Sequence, residues 1–307
     1  MAWYSLKRAA TLPKVDDAAQ PNALAGRYRL GARIGASASA TVYEAVDLRT
    51  GRIVAIKLIA VPLALPAEER AEWGTRLRRE AELGRRLQHP DIVAVRDAGL
   101  AGAQAWMAME RVAGVDLSRY TQRHRLLPEA LVLRIGARVG AALAFAHAKG
   151  VVHRDLKPAN VLVDLGAGQL KLADFGVAKI DDTQLTRTGM TLGTPAYMAP
   201  ELLAGAPANA ASDAYALGVM LFELLTGRRP HQAATLGELL RATSQEPPAA
   251  LAALRPDLPA PVVAVVDQLL ARAPAERPAD LAAWSAQVAA LAALMARVLT
   301  PSVSPRL

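Results

Sequence analysis

The sequence predicts an α+β protein of two lobes: a small β-rich lobe carrying one main helix, then a larger, mainly helical one. Three observations carry this. Short runs of β-branched residues crowd the first third of the chain, the apolar period turns helical after Val112, and no repeat of fixed length runs through it. At 307 residues the chain can bury a core without staples. It has no cysteine, which excludes a disulfide framework, a Cys-ligated zinc site and thiol catalysis. Apolar residues make up 52% and aromatics only 4%, so alanine carries much of the apolar count. Arginine and lysine number 36 against 28 acids, for a net charge of +8. A solvated, arginine-rich surface accounts for that charge better than a nucleic-acid interface, and no nucleic-acid partner is expected.

The elements follow in order. Residues 1–27 read as a flexible leader in which Pro13, Pro21 and Gly26 interrupt any period, without the apolar core of a signal peptide. Strands are predicted over 28–34, 41–46 and 53–59. Pro66 suits the first turn of a helix running to about Leu87, where His89-Pro90 stops it. Leu131, Ile135, Val139, Leu143 and Ala146 set one apolar face of a helix over 128–149, closed by Gly150. Short strands are predicted at 151–152, 161–163 and 170–172, then a Thr- and Gly-rich loop over 181–195. Helices are predicted over 212–226, 236–243, 261–271 and 280–299. The weakly polar stretch 281–296 is shorter than the ~20 residues a membrane span needs, so no span and a cytoplasmic location are expected.

Four motifs then decide the chemistry. They are Val54-Ala-Ile-Lys57, His153-Arg-Asp-Leu-Lys-Pro-Ala-Asn160, Asp174-Phe-Gly176 and Ala199-Pro-Glu201, in this order and on the right elements. The chain resembles the Hanks-type serine/threonine protein kinases of bacteria over about residues 28–290. The resemblance implies the two-lobed protein kinase fold, with an N-lobe over 28–112, a C-lobe over 113–299 and a tail over 300–307. It implies transfer of the ATP γ-phosphate to Ser/Thr hydroxyls of protein substrates, the chain's own activation loop included. Mg²⁺ is the expected ion, with Mn²⁺ as its substitute, and a homodimer through the N-lobe is an option.

Roles carry over residue by residue. Asp155 would accept the substrate hydroxyl proton and Lys157 would steady the transferred phosphate. Lys57 would reach the α/β-phosphates and pair with Glu80, which fits better than Glu69 or Glu72 by its distance from His89-Pro90. Read by itself, Lys57 is an ordinary strand-end lysine and Glu80 a solvated helix acid; the downstream motifs reverse that reading. Asn160 and Asp174 are hard oxygen ligands suited to Mg²⁺. His153 reads as a packed imidazole. The adenine pocket would take Ile34, Val42, Ala55 and Leu162, with Met109 as gatekeeper and Glu110 and Val112 at the hinge. Arg277 would pair with Glu201, and Asp213 would brace the catalytic loop. Arg154 calls for a phosphate on the activation segment, at Thr186 and Thr188.

Two departures stand out. The family's Gly-x-Gly-x-x-Gly loop appears as Gly35-Ala-Ser37-Ala-Ser-Ala40, which keeps only the first glycine and should be stiffer. Gly84 falls where the family places a large apolar residue. Both departures favour, as the alternative, a nucleotide-binding pseudokinase or scaffold. A small-molecule kinase of similar fold is disfavoured by Gly193-Thr-Pro-Ala-Tyr-Met-Ala-Pro-Glu201.

Overall fold

The computed structural model of the chain describes residues 23–37, 40–60, 75, 81–101, 104–175 and 195–299. They divide into two compact units, the first ending at Ala113 and the second beginning at Gly114.

The first unit is a five-stranded antiparallel sheet of β1 (Tyr28–Ala36), β2 (Ala40–Asp47), β3 (Ile53–Ala60), β4 (Val95–Ala101) and β5 (Gln104–Glu110). Their order across the sheet is β1-β2-β3-β5-β4. Side chains alternate between faces along a strand. One face therefore gathers Tyr28, Ala45, Val54, Ile56, Trp106 and Ala108 into a buried cluster. The rings of Tyr28 and Trp106 meet there at 5.3 Å and a 59° tilt. Arg27 clamps the sheet's ends, pairing with Asp47 at 2.7 Å and Asp97 at 2.8 Å. Residues 81–86 are helical, and Leu87 behind them is buried. Most of the helix expected from Pro66 lies outside the described residues. β4 was not foreseen, because Arg96 and Gly99 break its alternation; as an edge strand it pairs only with β5.

The second unit is mainly helical: α1 (Glu129–Ala148), α2 (Pro200–Leu203), α3 (Ala210–Thr226), α4 (Leu236–Gln245), α5 (Leu251–Leu254), α6 (Ala260–Leu269) and α7 (Leu281–Leu299). A small sheet joins it, of β6 (Val115–Asp116), β7 (Val161–Asp164) and β8 (Gln169–Leu172). α1 packs against α3 and α7. Among the described residues it is the one helix long and apolar enough to cross a membrane, and 56% of that apolar window is buried inside the protein. Its closeness to α7 depends on Gly140, where a Cβ would stand 2.5 Å from Ser285 Oγ. α3 is buried almost all round, and Asn209 caps it by accepting from Ser212 N at 3.1 Å.

Val151–Val152 is not a strand. The Val151 N–H is spent on the Ala146 carbonyl, and Gly150 at φ +72° turns the chain away from the sheet.

Candidate active site

The loop after α1 gathers three polar side chains. Asp155 receives a hydrogen bond from Lys157 Nζ at 2.8 Å and another from Asn160 Nδ2 at 3.2 Å, both on Oδ2. Asn160 Nδ2 also donates to the Asp155 carbonyl at 2.8 Å. Its amide nitrogen is thus fully engaged, and its side-chain oxygen, the atom a hard cation takes, points away from that pair. The Asn160 carbonyl in turn holds Ala173 N at 2.8 Å, which ties this loop to the stretch leading to Asp174.

Two residues here hold left-handed backbone without being glycine: Arg154 at φ +66° and Asp174 at φ +61°. Such strain persists only where neighbours enforce it. Asp213, reaching from α3, enforces the first. Its two oxygens accept the N–H groups of His153 at 2.8 Å and Arg154 at 2.9 Å. His147 Nε2, at the end of α1, meets the same carboxylate at 2.7 Å. No sequence signal singled out His147, since it sits in an apolar helix without a motif of its own.

His153 is fully buried against the Phe175 ring at 4.6 Å. Burial pushes its pKa down, against the pull of Asp213 and Asp155. Neutral imidazole fits its partners: one nitrogen meets the Ala173 carbonyl at 3.0 Å, and Nδ1 accepts from Asp155 N at 3.3 Å.

Below this loop, Arg277 is completely buried and uses all five of its N–H groups. Two go to Glu201 at 2.7 and 2.9 Å, and the rest to the carbonyls of Ala211, Ala271 and Arg272. Burial alone would raise the Glu201 carboxyl, but Arg277 and Ser212 hold it below its ordinary value near 4.5. Tyr197, just ahead of α2, donates to Glu223 at 2.5 Å.

In the first unit the sheet register sets Gly35 opposite Val42, Val42 opposite Lys57, Lys57 opposite Met107 and Ala55 opposite Met109. With a two-residue period these side chains share the face opposite the Tyr28–Trp106 cluster. Ile34 and Lys57 are half-buried, while Val42, Ala55 and Met109 are buried. Met107 belongs to this face too and was missed, because an apolar strand of Trp, Met and Ala looks alike on both sides. Ser37 closes the turn after β1: its N–H donates to the Ala40 carbonyl at 2.7 Å, and its Oγ accepts from Ala40 N at 3.1 Å. Glu110 accepts from Ala94 N at 3.3 Å, and the Arg111 guanidinium donates to the Val112 carbonyl. Leu162, on β7 in the second unit, is half-buried. Glu80, Gly176, Thr186 and Thr188 lie outside the described residues.

Comparison with known proteins decides what this arrangement belongs to. Residues 28–289 match the protein kinase domain family. The chain is a member of that family. It is 38% identical over 282 residues to the serine/threonine-protein kinase pkn3 of Myxococcus xanthus, covering 87% of this chain and 50% of that protein. It is likewise 38% identical over 260 residues to PknA of Mycobacterium tuberculosis, covering 83% of this chain and 58% of PknA. The chain spans about half the length of the curated relatives it matches. Among solved structures, the PknI kinase domain of M. tuberculosis superposes with a TM-score of 0.67 at 33% identity, covering 85% of this chain and 94% of that one. Membership of this kinase family implies ATP and a divalent metal ion as the reagents of the site. Among the described residues no three His, Cys, Asp or Glu side chains gather into a metal cage.

Proposed function

We propose that this kinase domain transfers the ATP γ-phosphate to Ser/Thr hydroxyls of proteins, with Mg²⁺ as its ion and Mn²⁺ as a substitute. The arrangement of Asp155 between Lys157 and Asn160 carries the reading. An acceptor-only carboxylate held by an ammonium and an amide is set to take a hydroxyl proton, while the ammonium balances the phosphoryl oxygens. Asn160 Oδ1 and the Asp174 carboxylate hold the metal, which when bound neutralises phosphate charge. Lys57, paired with Glu80, holds the α/β-phosphates. Ile34, Gly35, Ser37, Val42, Ala55 and Leu162 enclose the nucleotide, Met109 guards the pocket, and Glu110 and Val112 face the adenine edge. Residues 28–112 and 113–299 serve as N- and C-lobes.

Ser37 stands where the family pattern has a glycine, and its Oγ accepts from Ala40 N at 3.1 Å. Arg154 is exposed, and gathering a phosphate on Thr186 or Thr188 would switch the domain on. The cosubstrate places the domain in the cytoplasm. A homodimer through the N-lobe would cover Ile53, 60% exposed.

Incubation of the purified protein with labelled ATP and Mg²⁺ tests the reading, with casein, an aminoglycoside and choline as competing acceptors. Label on casein and on the chain's own threonines is the expected result. Label on a small molecule, or none with either metal, overturns it. Mass spectrometry locates the threonines, and a Thr186/Thr188 double alanine variant should lose most activity.

A further inference from the structure

The face of the first unit's sheet that carries Val42, Ala55 and Met109 also carries an ion pair. Glu44 stands two residues beyond Val42 on β2, and the register sets it opposite Ala55, which in turn lies opposite Met109 on β5. Strand alternation therefore puts Glu44 on this face, while its neighbour Ala45 belongs to the Tyr28–Trp106 cluster on the other. Arg111 directly follows the last residue of β5 and pairs with Glu44, its Nε 3.0 Å from Oε2. Because β3 lies between β2 and β5, the bridge spans that strand at Ala55, which is 6% exposed.

The same guanidinium has a second partner. Its Nη1 donates to the carbonyl of Val112, the next residue of the chain. With side chains 33% and 41% exposed, the Arg111–Glu44 pair adds little to stability. What it fixes is position. A guanidinium is a rigid planar fork, so a carboxylate holding one arm sets where the other arm points. The residue before it is anchored as well: Glu110 N donates to the Ala94 carbonyl at 2.9 Å, and its carboxylate accepts from Ala94 N at 3.3 Å. A cationic donor is thereby held against the Val112 carbonyl, wholly within the first unit.

We infer that Arg111, held by Glu44, is a specificity-determining residue that makes the nucleotide site reject purines with an amino group at C2. The inference rests on the reading in which Glu110 and Val112 face the adenine edge. On that edge the 6-amino group, N1 and C2 follow one another. A carbonyl of Glu110 takes the amino donor, the Val112 N–H serves N1, and C2 then comes against the Val112 carbonyl. Adenine bears only a hydrogen at C2, so a carbonyl already engaged by Arg111 costs it nothing. A 2-amino group is itself a donor. It meets an occupied acceptor with a cationic donor beside it, and is left unpaired in a site closed to water. The discrimination is by repulsion of the wrong base, with no added attraction for the right one.

Titration calorimetry of the full chain with Mg²⁺–ADP and with its 2-amino counterpart, the 2,6-diaminopurine nucleotide, tests the assignment without needing turnover. The wild-type protein should bind the 2-amino nucleotide about tenfold more weakly than ADP. Arg111→Ala frees the Val112 carbonyl and should bring the two affinities to within about twofold of each other, or reverse their order. Glu44→Ala leaves the guanidinium without its anchor and should lower the ratio part of the way. The ratio is the readout that a merely structural role would not move, since a loosened fold weakens both nucleotides alike. Equal affinities in the wild type, or a tenfold ratio that persists in Arg111→Ala, overturn the inference while ADP binding upholds the nucleotide site. No binding of either nucleotide to the wild type overturns the nucleotide site itself, and this inference with it.

Discussion

The Asp155 carboxylate draws its role from the groups that face it. Replacing it with Asn keeps the shape and the bond to Lys157's neighbourhood but removes the proton acceptor. Turnover should fall by roughly 10²–10⁴-fold, with the melting temperature and ATP binding close to wild type. Unchanged turnover in Asp155→Asn would remove the residue from the mechanism. Glu201 makes a second prediction at this scale, one of stability. Its folded pKa lies below the ordinary value, so its contribution is complete above that value and is lost as pH falls through the folded one. Stability should therefore drop on acidification below about pH 4.5. Glu201→Gln should flatten that part of the pH profile. It should also cost about 3–5 kcal/mol at neutral pH, since it leaves the buried Arg277 charge uncompensated. Urea titrations at several pH values read both effects.

Among elements, the helical residues 81–86 and β4 are fitted to one another by the absence of a side chain. A Cβ at Gly84 would stand 2.9 Å from Val95 Cγ2, closer than real carbon contacts allow. Val95 thus fills the space that a larger side chain at position 84 would need. Gly84→Leu should destabilise the protein by about 1–3 kcal/mol through overpacking, although it restores the family pattern. Adding Val95→Ala should recover much of that loss, because the freed volume lies at the point of collision. Chemical denaturation of the two single variants and the double variant measures the coupling. Additive losses would show that the two positions do not share this space.

For the whole molecule, nucleotide binding couples to folding through mass action. Mg²⁺–ATP at 100 times its Kd should stabilise the protein by about 2.7 kcal/mol, a rise of several degrees in melting temperature. Lys57→Met should cut this rise while leaving the ligand-free melting temperature within a degree or two, since Lys57 is half-buried on its strand and outside the Tyr28–Trp106 cluster. A ligand-free loss as large as that of a core truncation, ~2–5 kcal/mol, would make it a structural lysine instead.

By itself the sequence determined whatever is local. The strands over 28–34, 41–46 and 53–59 were readable because short runs of β-branched and apolar residues fill them, and the α1 helix because five apolar residues recur at helical spacing. The Asp155 cluster was readable for the same reason: Asp155, Lys157 and Asn160 stand within six residues, and one tight loop brings them together. Long-range partners were not. That His147 shares the Asp213 carboxylate with His153 and Arg154, and that Val95 takes the space beside Gly84, both depend on residues eleven or more positions apart. β4 was missed as an edge strand whose pairing comes wholly from β5, and Val151–Val152 was taken for a strand because its valines outweighed the turn at Gly150. Periods and turn residues act over three or four positions, which a sequence displays directly. Which side chains meet across elements is settled by packing and hydrogen-bond satisfaction in three dimensions, and only the tertiary structure decides that.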